Sequence, residues 1–190
     1  MGKKGISIFL FICLFSGAVF AQKDSTRIYP YRGLLREALT YSIGSMSSLS
    51  VTNVYLAGNA EYYTDNKISV RGDGYYFLNS LNNIKIFKRN NQLYFGACFN
   101  FSAGKHFNPF IGLQPGVAFS KLYISDNTSV NPLASVVTGF NFYAEKWFHV
   151  MVNVRYSVGR HLDEFSPFDA SELSFSFGLG WDLDVSCKKH

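Results

Sequence analysis

The sequence predicts an all-β fold, a single antiparallel up-and-down barrel of eight strands. Three observations carry that prediction. Apolar and polar residues alternate with a period of two in one segment after another, the signature of strands with one apolar and one polar face. The composition is aromatic and glycine-rich, with 19 Phe, 12 Tyr and 16 Gly against only 16% charged residues. The alternating segments are also long. They match the roughly 9–11 residues that a tilted strand needs to cross a bilayer, against about 5–6 for an ordinary globular strand.

The first 21 residues stand apart. "MGKKGISIFLFICLFSGAVFAQ" has a basic start at Lys3 and Lys4, a short apolar run, and a small-x-small end at Ala18-Val19-Phe20-Ala21. This is the pattern of a secretory signal cleaved after Ala21. Residues 22–34 are polar, contain Pro30 and show no period, and read as a leader on the inner side of the membrane. The barrel is expected over 35–184, followed by a tail at 185–190.

Each strand follows from its alternation. The first, 36–46 ("REALTYSIGSM"), is the weakest. The second, 51–63, ends at the turn residues "TDN". The third is 67–78 ("KISVRGDGYYFL"), and a polar loop over 79–91 separates it from the fourth, 92–104. The fifth runs over 108–122, the sixth over 132–143, the seventh over 147–158 and the eighth over 172–183. Connections after strands two, four and six are tight, and those after three, five and seven are long and polar. Barrels of the outer membrane have short periplasmic turns and longer external loops, so both chain ends would lie on the periplasmic side.

Sorting the faces predicts the surroundings of each. Val150, Val152, Val154, Phe175, Phe177 and Leu179 fall on bulky apolar faces and are expected to meet lipid. The opposite faces are rich in Gly, Ser, Asn and Ala, which suits a narrow bore. They also carry Glu61, Arg71, Asp73 and Arg155, an expected ion-pair network, since an unpaired buried charge is costly. Lys67, Glu172 and Asp182 share that parity and could equally sit solvated at a rim. Tyr62, Trp147 and Trp181, near strand ends, are the expected aromatic girdle. In the polar loop, Lys85, Lys88 and Arg89 are candidates for contacts with lipopolysaccharide phosphates. The same alternation leaves two alternatives: a soluble lipocalin-like carrier with its apolar face inward, and a narrow gated pore.

Other chemistry finds little support. The formal charge of +5 falls by two with the signal segment, and no basic cluster with interleaved aromatics suggests nucleic acid. Cys98 and Cys187 make no disulfide framework, and no metal-ligand spacing or cofactor motif occurs. His161, Asp163, Glu164 and Ser166 in "RHLDEFSPF" hold the side chains of a hydrolase, but no "GxSxG" elbow accompanies them, and no catalytic residue is assigned.

The segments "LYFGACFNFSAGKHFNPFIGLQPGVAFSKL", "GFNFYAEKWFHVMVNVRYSVG" and "SELSFSFGLGWDL" resemble the small eight-stranded outer-membrane β-barrels. They resemble in particular the outer membrane protein β-barrel domain family with its PorT-like and OmpX-like members. The resemblance implies a protein of the bacterial outer membrane with a structural or interaction role, no enzymatic activity and no cofactor. The last strand in that group commonly closes on an aromatic residue, whereas here "WDLDVSCKKH" runs past Trp181 into a polar tail.

Overall fold

The computed structural model describes residues 30–82, 85–101, 106–124, 127–145, 147–162 and 168–185. The signal segment, most of the leader, Asp163, Glu164, Ser166 and Cys187 lie outside the described residues.

Among the described residues there are nine strands: β1 (Leu34–Met46), β2 (Val51–Tyr63), β3 (Ile68–Ser80), β4 (Phe87–Asn100), β5 (Phe107–Leu122), β6 (Thr128–Glu145), β7 (Phe148–His161), β8 (Phe168–Asp169) and β9 (Glu172–Asp184). Each long strand pairs antiparallel with its chain neighbour. β9 closes the ring by pairing with both β7 and β1. The result is an eight-stranded barrel, with the two-residue β8 added on Arg160 and His161 of β7.

Alternation sets which way each side chain points. Phe175 and Phe177 are each 52% exposed on the outside, and Leu179 and Val154 are 48% and 38% exposed. Between them Ser174, Ser176 and Asp182 are buried in the bore. A carrier would need the reverse arrangement, so this orientation removes the lipocalin-like alternative. Eight strands enclose a bore just wide enough for side chains to fill.

Boundaries differ from the sequence reading in two informative places. The loop expected over 79–91 is partly strand, because β4 begins at Phe87. Phe87 faces inward and Lys88 and Arg89 are exposed, so polar residues past the apolar belt imitate a loop. β6 likewise begins at Thr128 rather than 132. Pro115 lies in β5 where the β4–β5 pairing passes from Tyr94↔Gly116 to Ala97↔Leu113, consistent with the proline's missing N–H. Part of the leader also folds: Tyr31 and Leu34 pack on Tyr63.

Closure brings backbones close at the β1–β9 seam. A Cβ at Gly178 would fall well inside contact with the Leu39 carbonyl oxygen and Thr40 Cα. At Gly74 the nearest atom to a built Cβ, Leu93 Cδ2, is 3.5 Å away. Gly178→Ala is therefore expected to cost about 1–3 kcal/mol, and Gly74→Ala less than about 0.5 kcal/mol. Urea unfolding in vesicles, followed by the mobility difference between heated and unheated protein, measures both; equal midpoints would contradict the seam argument.

Candidate functional site: the filled bore

The bore is built in three polar tiers that follow from strand register. In the lower tier, near the chain ends and short turns, Arg36 of β1 is the cross-strand partner of Glu61 on β2 and of Asp182 on β9. Glu61 is in turn opposite Arg71 on β3. One residue from each of four adjacent strands thus forms a row of alternating charge. Arg36 Nε donates to Asp182 Oδ1 at 3.1 Å, and Nη1 lies 3.5 Å from Glu61 Oε2. The other Asp182 oxygen contacts His149 Nδ1 at 2.9 Å. Arg36 also donates to the Tyr63 hydroxyl, and the Ser69 hydroxyl donates to Glu61. Tyr63 then donates to Asn100 Oδ1 at 3.0 Å.

The middle tier centres on Asp73. Arg71 donates to Asp73 Oδ1 from Nε and Nη2, at 3.0 and 2.7 Å. Arg155 Nη2 lies 3.0 Å from Oδ2, which also accepts from Gln114 Nε2 at 2.9 Å. Arg155 donates to Ser135 Oγ and the Tyr75 hydroxyl, and its guanidinium lies 4.1 Å above the Tyr94 ring centre. Arg71 lies 4.9 Å above the Phe110 ring. Aromatic faces thereby cover the charge that the single carboxylate leaves over.

The upper tier holds a carboxylate with no cationic partner among the described residues. Glu172 accepts from Tyr55 Oη at 2.9 Å, Asn53 Nδ2 at 3.1 Å and Gln92 Nε2 at 2.6 Å. Above it Met46, Phe87 and Leu122 pack with Phe77 and Phe168 into an apolar cap. Among the described residues, a cavity of about 10 Å³ lies beneath the cap, room for one water at most. At the other mouth, Tyr31 and Leu34 lie against Tyr63.

The residues named from sequence distribute as follows. Arg71, Asp73 and Arg155 come together, while Glu61 joins the neighbouring tier. Glu172 and Asp182 are buried in the bore, and Lys67 is exposed in the β2–β3 turn. Val150 and Val152 are half-buried on the outer wall. Tyr62 and Trp147 are exposed at the lower end, and Trp181 is half-buried, donating from Nε1 to Glu37 Oε2 at 3.2 Å. Lys85 is exposed, as are Lys88 and Arg89. His161 is buried, stacked on Phe168 at 4.5 Å and in contact with Asn131.

Sequence reasoning missed Arg36, the cation of the lower tier, because the first strand's alternation was weakest there. It also missed the tyrosines. The bore is not mainly small residues: Tyr55, Tyr63, Tyr75, Tyr94 and Tyr143 are all buried in it. Tyr55, Tyr75 and Tyr94 fall on the same parity as Glu61, Asp73 and Gln92, which was the available signal. No group of His, Cys, Asp and Glu that could hold a metal occurs among the described residues.

The tiers differ in what neutralising an acid should do. Asp73→Asn removes the anion between two buried guanidinium groups and is expected to cost about 3–5 kcal/mol. Glu172→Gln removes a charge that has no cationic partner among the described residues and is expected to cost far less. Unfolding midpoints of the two variants in vesicles test the difference, and equal losses would contradict the assigned pairing.

No protein-family model matches the chain, and no curated protein matches it in sequence. Several solved structures match its fold. Neisserial surface protein A (NspA) aligns with a TM-score of 0.56 at 13% identity, covering 80% of this chain and 96% of that one. The outer membrane protein OprG of Pseudomonas aeruginosa aligns with 0.57 at 12% identity, covering 83% and 99%. The N-terminal β-barrel domain of OprF from the same organism aligns with 0.55 at 11% identity, covering 81% and 100%. In architecture, the chain is a small eight-stranded antiparallel β-barrel like those of these outer-membrane proteins.

Proposed function

We propose that this protein is an integral protein of the bacterial outer membrane whose role is structural or interactive, with a bore closed to solutes. Supporting the placement is an outer wall of Leu, Ile, Val, Phe and Tyr around a polar, ionic interior. Such a wall is costly in water and favourable against acyl chains. A periplasmic position for the chain ends, with the apolar cap outside, is supported by the short connections 64–67 and 146–147 at that end.

The observation that carries the closed bore is its filling. Three tiers of paired or hydrogen-bonded groups occupy it, and a buried apolar cluster lies toward each end. Conduction would require breaking buried ion pairs, at several kcal/mol each. Activity then falls to the outer surface, where Lys85, Lys88 and Arg89 meet the phosphates of lipopolysaccharide.

Purified protein refolded into vesicles is expected to migrate differently before and after boiling, and to give no reproducible openings in planar bilayers. Identical mobility together with recovery in the soluble fraction would end the membrane placement. Reproducible openings would replace the closed bore with a gated pore.

A further inference from the structure

The outer wall has a gap in its apolar cover. On β2 and β3 the outward mid-strand positions are Gly58, Ala60, Gly72 and Gly74, and register sets Gly58 beside Gly74 and Ala60 beside Gly72. The backbone does not demand these glycines. None has positive φ, and a Cβ at any of the three would meet its nearest neighbour at 3.5 Å or more. The missing side chains leave a groove of about 420 Å³, floored by Gly58 and Gly74 and walled by Leu39, Leu56, Tyr76 and Leu93.

The groove runs up to Asn91 and Phe119, which pair across β4 and β5. The next outward pair on those strands is Arg89 and Lys121, directly opposite one another. A register shift between Phe87 and Arg89 leaves Lys88 exposed beside them. Neither Lys88 nor Arg89 forms an ion pair with any described residue. From Leu93 to Arg89 the strand climbs about 13 Å.

We infer that this wall binds one phosphorylated lipid of the external leaflet. An acyl chain lies over Gly58 and Gly74, and the phosphate is held by Arg89 and Lys88. The inference rests on the membrane placement proposed above. A phosphate between Arg89 and Lys88 meets two cations that face no acid among the described residues, and the arginine fork matches phosphate oxygens. A soluble phosphate would satisfy the cations but leave the groove uncovered, so both halves of the site select a lipid.

Native mass spectrometry of the detergent-released barrel, with diphosphoryl lipid A as probe, tests the site. The wild type is expected to retain lipid A in preference to phosphatidylcholine, and inorganic phosphate should not displace it. Arg89→Ala and Lys88→Ala should lower occupancy about fivefold per cation removed. Gly74→Leu, which fills the groove without changing charge, should lower it as well. Unheated gel mobility reports folding of each variant, and Arg89→Gln and Gly74→Ala make the same comparison where the larger changes unfold the barrel. Unchanged occupancy in both kinds of variant, or displacement by inorganic phosphate, overturns the inference. Failure of the wild type to insert into vesicles would instead bring down the membrane placement, and the site with it.

Discussion

A guanidinium inside a narrow barrel has no water to turn to, and the acids that meet it must come from neighbouring strands. The row Asp182–Arg36–Glu61–Arg71 solves this with one residue per strand across β9, β1, β2 and β3. Register and charge are therefore coupled. A slip of one residue between strands would turn every side chain to the other face. A slip of two would set Arg36 against Asn59 or Tyr63 instead of Glu61. The row sits at the seam where first and last strands meet, the place at which an up-and-down barrel must recognise its own closure. Buried ion pairs add little net stability; at this seam they penalise the wrong pairings.

The tyrosines complete what the charges begin. A bore lined with only Gly, Ser and Asn would leave gaps between ion pairs, and gaps beside a buried charge forfeit contacts on every side. A tyrosine fills such a gap with its ring and ends in a hydroxyl that reaches the next tier. Tyr63 links Arg36 to Asn100, Tyr75 receives a bond from Arg155, and Tyr55 donates to Glu172. Their rings meet edge to face, Tyr55 with Tyr75 and Tyr75 with Tyr94, at 5.8 and 5.9 Å. Packing and hydrogen bonding are thereby carried by the same side chains.

The strands were legible because lipid and bore impose opposite demands on alternate residues, so the period of two survives along most of the wall. Where one of those demands lapses, the signal lapses too. Phe87 to Asn91 read as loop because Lys88 and Arg89 lie beyond the apolar belt, where an outward residue is free to be charged. Arg36 was hidden for the opposite reason. It opens the weakest segment, and a single cation at a strand start looks the same whether it faces water or the bore. Asp73 and Arg155 were legible as inward residues from parity alone. That Arg155 reaches Asp73 across the barrel, and Glu61 instead serves Arg36, depends on which strands stand opposite each other, which no local pattern contains.

The apolar cap and the three tiers also decide where a partner can act. Glu172 lies so close to β1 that a Cβ at Gly44 would strike its carboxylate, so the upper bore is packed to the backbone. Nothing can enter there without displacing Met46, Phe87 and Leu122 and then the Tyr55, Asn53 and Gln92 donors beneath them. The wall is different. Its groove at Gly58 and Gly74 exists only because side chains are absent, and filling it disturbs no backbone contact. The interior is crowded with Tyr and Arg, whereas on the outer wall the cover of large apolar side chains is interrupted at Gly58, Ala60, Gly72 and Gly74, so space for a further group is found on the wall and not in the bore.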